Sequence, residues 1–304
     1  MLKPGEMAGV GTFQVDQHVL DAIRAAKGQQ TVSLCIPCRD EAATIGRLVS
    51  IIRDELMGPA GVVDELIVLD DRSTDDTAWE AALAGARVVS INDVHAVHGV
   101  GWGKGNVLWA TLLVSRGDLL VWCDGDVTSF ESGWVPRLVA PLLIDPTIGL
   151  VKASYQRPTD TGGGGRTTEL VARPLLSLYY PELAQLHQPL AGEYAARATV
   201  LEQIPFVQGW GVEIAMLIDV ADRFGPEAVT QVDLGVREHR HQPLEALSVQ
   251  AAEVMATLLT RTPDGKWLDD DDLRLTRADG STVALNLAER PPLAAINDPA
   301  QPPS

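Results

Sequence analysis

Nowhere in the 304 residues is there an apolar stretch of about 20, the length a membrane-spanning helix needs, so no segment is expected to cross a bilayer. Residues 1–15 lack the apolar core of a secretory signal. Cysteine is scarce. Cys35, Cys38 and Cys123 are too few for a disulfide framework, and a reducing cytoplasm is the compartment they fit. Cys35 and Cys38 are spaced as C-x-x-C, but a redox pair wants its first cysteine at a helix N-terminus. Cys35 instead sits inside an apolar, strand-like run, which favours a structural role. Basic residues are also in short supply: 24 Lys and Arg stand against 41 Asp and Glu, a formal net charge of −17. That balance argues against non-specific nucleic-acid binding, which is driven by basic surface. An anionic small substrate remains compatible, because a few local cations can hold one against the overall field.

What is present is a chain with 46% apolar residues, enough for a sizeable core, and no internal repeat. Strand-like and helix-like segments alternate from residue 31 to residue 123. Residues 31–36, 65–69, 87–91 and 119–123 read as strands. Residues 41–56, 74–84 and 104–116 read as helices, with Ile45, Leu48, Val49, Ile52 and Leu56 on one face of the first and Ser73 or Thr74 as N-cap of the second. Residues 15–27 read as a short helix before the first strand. This alternation predicts an α/β fold with a doubly wound, mostly parallel sheet. After Asp126 the rhythm changes. Residues 134–143 read as helix, 150–155 as strand, 169–187 as a helical segment interrupted by Pro174 and Pro181, 229–234 as strand and 243–261 as an amphipathic helix. Residues 159–165 end in four glycines and read as a mobile lid or as a plain surface loop.

The chemistry-bearing residues fall at strand ends, where open α/β sheets bind ligands. Asp124-Gly125-Asp126 follows the strand at 119–123. Two carboxylates one residue apart can be shared between a hard cation and a ligand hydroxyl, and Mg²⁺ or Mn²⁺ commonly bridges carboxylate to phosphate. Taken alone, such a pair is more often an acidic turn. Three further segments join the same rim: 37–41 (Pro-Cys-Arg-Asp-Glu), 70–77 (Asp-Asp-Arg-Ser-Thr-Asp-Asp-Thr) and 101–105 (Gly-Trp-Gly-Lys-Gly). Asp40 and Ser73 also read as helix caps, and Lys104 also reads as a solvated lysine. Caps and ligand contacts are compatible roles.

Several separated segments carry a family likeness: 63–70 with 73–77, 103–105, 165–166, 168–175, 188–195, 211–214 and 234–237 with His239-Arg240. On these the chain resembles the glucosyl-3-phosphoglycerate synthases of actinobacteria, retaining glycosyltransferases of the GT-A fold. The resemblance runs from about residue 13 to residue 261. It implies a nucleotide-sugar-binding region at 31–130, an acceptor and metal region at 131–242 and a C-terminal helix and extension at 243–288. These lie between an N-terminal extension, 1–30, and a polar, Pro-rich tail, 289–304, expected to be disordered. It implies that Pro37, Asp40, Glu41, Ser73, Lys104, Asp124 and Gly125 hold the nucleotide sugar. Asp126 and His239 would bind Mg²⁺ or Mn²⁺. Glu213 and Arg237 would line the donor sugar and, with Asp126 and Lys104, serve the reaction. Gly165, Arg166, Thr167, Thr168 and His241 would hold a small anionic acceptor. UDP-glucose is the expected donor, with GDP-sugars second, and 3-phosphoglycerate the leading acceptor. A homodimer is left open.

The chain also departs from the family pattern. Arg39-Asp40-Glu41 stands for Leu-Asn-Glu, Asp124-Gly125-Asp126 for D-S-D, and Asp70-Asp71-Arg72 for Asp-Ser-Gly. Trp210 stands for a tyrosine, and His241 for an asparagine. The nucleotide frame is kept while side chains facing sugar or acceptor change. A glycosyltransferase of specialised metabolism, a nucleotidyltransferase and a nucleotide-sugar-binding regulator are the competing readings. No carboxylate can be named as a covalent nucleophile. Front-face attack, with the departing phosphate taking the acceptor proton, is the expected route to retention, and an adduct on Glu213 would overturn it.

Overall fold

The computed structural model describes residues 12–13, 23, 26–58, 61–156, 165–237, 243–262 and 273–296. The chain enters a central eight-stranded sheet, in the order β1-β9-β6-β7-β5-β2-β3-β4. The first half is the expected alternation: β2 (Val32–Cys38), α1 (Ala42–Leu56), β3 (Glu65–Asp70), α2 (Thr77–Ala84), β4 (Arg87–Ser90), α3 (Ile91–His98), α4 (Lys104–Val114) and β5 (Leu119–Trp122). β3 lies on one side of β2 and β5 on the other, all parallel. The direction of winding reverses between β2 and β5, which opens a crevice at their carboxyl ends.

The second half completes the sheet. α5 (Trp134–Ile144) leads to β6 (Leu150–Gln156), then α6 (Arg173–Tyr179), β7 (Tyr194–Arg197), α7 (Ala198–Leu201), β8 (Phe206–Val207), α8 (Val212–Phe224) and β9 (Val229–Val236). β7 is antiparallel to both its neighbours, β5 and β6, while β1 (Thr12–Phe13) pairs parallel with β9. α9 (Leu244–Thr260) covers α8, and a short hairpin, β10 (Arg274–Thr276) and β11 (Thr282–Ala284), follows it.

Two apolar cores lie on the two faces of the sheet, and the sequence of β2 shows why. Leu34 and Ile36 enter one core and Cys35 the other, so a strand buried on both faces reads as a continuous apolar run. The predicted face of α1 is the buried one: Ile45, Leu48, Val49, Ile52 and Leu56 all pack inward. Each such side chain contributes roughly 1.5–3 kcal/mol when fully buried. Cys35 and Cys38 are three residues apart, enter opposite cores and are both buried, so they form no redox pair. Burial pushes both thiols up, with acidic neighbours adding to it.

Four expectations need correction. α2 begins at Thr77 with Asp76 as N-cap, and neither Ser73 nor Thr74 caps it. Their groups are used elsewhere: Ser73 Oγ accepts from Asp40 N at 3.0 Å, and Thr74 N donates to Asp40 Oδ1 at 2.7 Å. Second, Asp40 caps no helix, because Glu41 holds the N-cap position of α1. Third, residues 289–296 are ordered. Glu289–Arg290 forms β12 against β8, and Leu293–Ile296 forms α10. Arg290 is buried, which a polar, Pro-rich composition does not announce. Residues 297–304, most of the helix expected at 15–27 and most of the loop expected at 159–165 lie outside the described residues. The segment expected as one interrupted helix, 169–187, is three pieces: a wide π-type turn over Thr168–Ala172, α6 with Pro174 in its first turn, and a single 3₁₀ turn at Leu183–Gln185. Among the described residues no helix is long and apolar enough to cross a membrane.

Candidate active site

A cleft of about 650 Å³ opens at the carboxyl ends of β2 and β5. Its floor is a chain of five alternating charges. Glu193 Oε1 lies 2.7 Å from Arg237 Nε, and Arg237 Nη2 lies 3.0 Å from Asp124 Oδ2. Asp124 Oδ1 accepts from Lys104 Nζ at 2.8 Å, and the same ammonium reaches Glu213 Oε1 at 2.7 Å. Asp126 Oδ1 stands 3.7 Å from Arg237 Nη2. Five elements deliver these groups: Asp124 and Asp126 just after β5, Lys104 at the start of α4, Glu193 just before β7, Glu213 in the first turn of α8, and Arg237 just after β9.

The glycines around the cleft make room for these contacts. Gly103 has φ +90°, and a Cβ there would meet Gln208 O at 2.6 Å. A Cβ on Gly192 would come within 2.2 Å of Asp124 Oδ2, so this glycine lets the carboxylate sit against the backbone. Thr44 of α1 donates its hydroxyl to Gly125 O at 2.7 Å, which fixes the Asp124–Asp126 turn.

Burial and charge compete throughout. Burial disfavours the Lys104 ammonium, yet Asp124 and Glu213 overcome it and hold its pKa well above the usual lysine value. Lys152, from β6, is 1% exposed, its Nζ donates to Ala191 O at 2.7 Å, and it stands 4.3 Å over the Tyr194 ring. Desolvation pulls its pKa down to about 8, with Glu213 opposing and Lys104 reinforcing the shift. Glu193 is raised by burial, against the pull of Arg237.

The expected residues converge to a large degree. Pro37, Glu41, Lys104, Asp124, Gly125, Asp126, Glu213 and Arg237 line the cleft, and so do Gly165, Arg166, Thr167 and Thr168 at its far rim. Asp40 and Ser73 do not line it; they tie the loop after β2 to the loop after β3. His239 and His241 lie outside the described residues. Glu193 and Lys152 were assigned no role from sequence. The available signal was a lone charge inside an apolar run, Glu193 within 190–196 and Lys152 within 150–155. Of the positions that depart from the family pattern, Arg39, Asp71, Gly125 and Trp210 reach the cleft. Arg72 has φ +58°, binds Asp71 Oδ1 through Nε at 2.8 Å and stacks 4.2 Å over Trp102.

A divalent cation fits this donor set as a shared ligand. Among the described residues no three His, Cys, Asp or Glu side chains are grouped as a metal cage. Asp126 offers a hard carboxylate, 29% exposed, at the mouth of the cleft. Mg²⁺ and Mn²⁺ sites of this kind take one or two carboxylates and complete their shell from substrate phosphates and water.

A mostly parallel sheet carrying Asp-Gly-Asp and a half-buried lysine at its switch point is the architecture of a GT-A glycosyltransferase. The sequence profile of glycosyl transferase family 2 matches residues 33–204. The glucosyl-3-phosphoglycerate synthase of Mycolicibacterium paratuberculosis is 45% identical, over 97% of this chain and 98% of its own. The crystal structure of the Mycobacterium tuberculosis enzyme with phosphoglyceric acid superimposes with a TM-score of 0.86 at 41% identity, covering 96% of this chain and 100% of that one. A second crystal structure of that enzyme, with Mn²⁺, UDP-glucose and phosphoglyceric acid, gives a TM-score of 0.85 at 41% identity, covering 96% and 100%. The chain belongs to the glucosyl-3-phosphoglycerate synthase family. It is a glycosyltransferase, and the nucleotidyltransferase reading falls away.

Proposed function

We propose that this chain transfers glucose from UDP-glucose to the hydroxyl of 3-phosphoglycerate, with retention and with Mg²⁺ or Mn²⁺. The observation that carries this is the likeness, over 96% of the chain, to an enzyme crystallised with Mn²⁺, UDP-glucose and phosphoglyceric acid. Pro37, Glu41, Asp124 and Gly125 receive the nucleoside, and Asp40 and Ser73 set the spacing of the two loops beside it. Asp126 and His239 hold the cation at the diphosphate. Glu213 and Arg237 border the sugar. Gly165, Arg166, Thr167, Thr168 and His241 take the acceptor, Arg166 gripping its anionic group through two parallel hydrogen bonds.

In the reaction the bond from the anomeric carbon to the diphosphate oxygen breaks, and a bond from that carbon to the acceptor oxygen forms. The acceptor proton passes to the departing phosphate on the same face. Lys104 and Arg237 place fixed positive charge beside the leaving group without reorganisation. The bound cation supplies Lewis-acid neutralisation of the diphosphate. Asp124, already bonded to both cations, holds them in position rather than taking the proton.

The test is product analysis with UDP-glucose, 3-phosphoglycerate and Mn²⁺. Wild type yields UDP and a glucosyl-phosphoglycerate, and Asp126→Ala loses on the order of 10³-fold or more in kcat with an unchanged melting temperature. Full activity after exhaustive chelation removes the metal assignment, and absence of the glucosylated product removes the acceptor.

A further inference from the structure

The segment 286–290, expected to be partly disordered, crosses beneath two loops that are about a hundred residues apart in sequence yet supply opposite ends of one ion pair. On one side it holds the approach to Lys104. Arg290 donates Nε to Asn106 Oδ1 at 2.8 Å, Nη1 to His98 O at 2.9 Å and Nη2 to Gly99 O at 2.8 Å. Asn286 Nδ2 donates to Trp102 O at 2.9 Å. On the other side it holds the approach to Glu213. β12 pairs with β8, and Gln208 N donates to Ala288 O at 2.8 Å. The buried carboxylate of Glu253, from α9, accepts from Asn286 N at 3.0 Å through one oxygen and from Trp210 N at 2.7 Å through the other. Gln208 closes the ring: its side-chain oxygen accepts from Trp102 N at 3.0 Å and its carbonyl from Asn106 N at 3.2 Å.

The packing leaves little play. Arg290 is 8% exposed and lies 4.9 Å over the Trp109 ring. A Cβ on Gly209 would meet Glu253 Oε2 at 2.3 Å and Asn286 O at 2.5 Å, and one on Gly101 would meet Asn106 Oδ1 at 2.0 Å. The partners of Arg290 are an amide oxygen and two backbone carbonyls, so its planar fork sets a geometry that a point charge such as lysine does not reproduce.

We infer that residues 286–290 are a positioning strap for the donor pocket: they fix the separation of the Lys104 and Glu213 segments, with Arg290 and Glu253 as anchors. This rests on the reading above that Lys104 meets the donor diphosphate. None of the strap residues lines the cleft, so their effect passes through Lys104 and Trp210.

Calorimetry with UDP and Mn²⁺ on the full chain tests it, beside steady-state kinetics. Arg290→Gln is expected to weaken UDP binding and raise the UDP-glucose KM about tenfold, the effect of one misplaced charge-assisted contact, while the 3-phosphoglycerate KM stays within about twofold. In a Lys104→Met background the same change is expected to cost nothing further, because residues acting through one group are non-additive. Asn286→Ala, which removes one bond to Trp102 O, gives a smaller effect of the same kind and serves if Arg290→Gln does not fold. Equal losses with and without Lys104, or equal rises in both KM values, overturn the inference and leave a merely structural strap. Wild type that binds no UDP sinks the donor reading, and the strap's role falls with it. Wild type that binds UDP beside variants that bind it equally well sinks the strap alone.

Discussion

Glu193 is 1% exposed and gives one carboxylate oxygen to Arg237, while its Oε2 has no hydrogen-bond partner among the described residues. Its value lies in what Arg237 becomes without it. That guanidinium is 4% exposed, and its other carboxylate contacts among the described residues, Asp124 at 3.0 Å and Asp126 at 3.7 Å, are the groups proposed above to engage the donor and its cation. Removing one member of a buried pair strands the other charge, at a cost on the order of 3–5 kcal/mol. Glu193→Ala is therefore expected to lose about 3 kcal/mol in urea unfolding, the low end because Asp124 stays in place. Glu193→Gln keeps the volume and an acceptor for Arg237 Nε, so it recovers more than half of that loss. A loss below about 1 kcal/mol for the alanine variant means that Asp124 alone compensates the guanidinium.

At the scale of elements, legibility followed hydrophobic contrast. β2, β3, β5 and α1 stand where expected, because apolar runs and a one-sided helix face are strong local signals. β7 was missed: Tyr194-Ala195-Ala196-Arg197 has two small residues and no β-branched one, and only its place between β5 and β6 makes it a strand. α3 was missed for its polar, histidine-containing sequence, although Ser90 caps it at Asn92 N. The candidate site was legible where a charge follows a strand, as at Asp124, and illegible where a charge sits inside the sheet, as at Lys152. The unforeseen α3 also carries a testable titration. His95 Nε2 accepts from Gly101 N at 3.2 Å, so the neutral ring carries its proton on Nδ1. Burial lowers its pKa below the usual 6.5, and Arg72 and Arg290 lower it further. The unfolded chain then binds a proton near pH 6.5 that the folded chain does not, so stability is full above that pH and declines below it. Between about pH 7.5 and about pH 5.5 wild type is expected to lose more melting temperature than His95→Gln, whose amide oxygen can accept from Gly101 N without titrating. Parallel curves for the two proteins mean that His95 does not govern this loop.

For the whole molecule the decisive quantity is the formal charge of −17. On the function proposed above, an acceptor such as 3-phosphoglycerate approaches against that field and is captured by a few cations at the rim, Arg166 among them. The two effects respond differently to salt. Repulsion from charges spread over the surface acts beyond about 10 Å and is largely screened at roughly 0.1 M ionic strength, whereas contacts within a half-buried cleft are screened much less. Moderate salt therefore removes the obstacle and spares the grip. From roughly 20 mM to roughly 100 mM KCl, kcat/KM for 3-phosphoglycerate is expected to rise about twofold, the reverse of the usual behaviour for an enzyme steering an oppositely charged substrate. The donor is an internal control, because it meets the protein with its diphosphate partly neutralised by the divalent cation, so its kcat/KM should change less. If acceptor kcat/KM instead falls steadily over this range, the rim cations dominate the long-range field. The acidic surface is then a solubility feature without kinetic consequence.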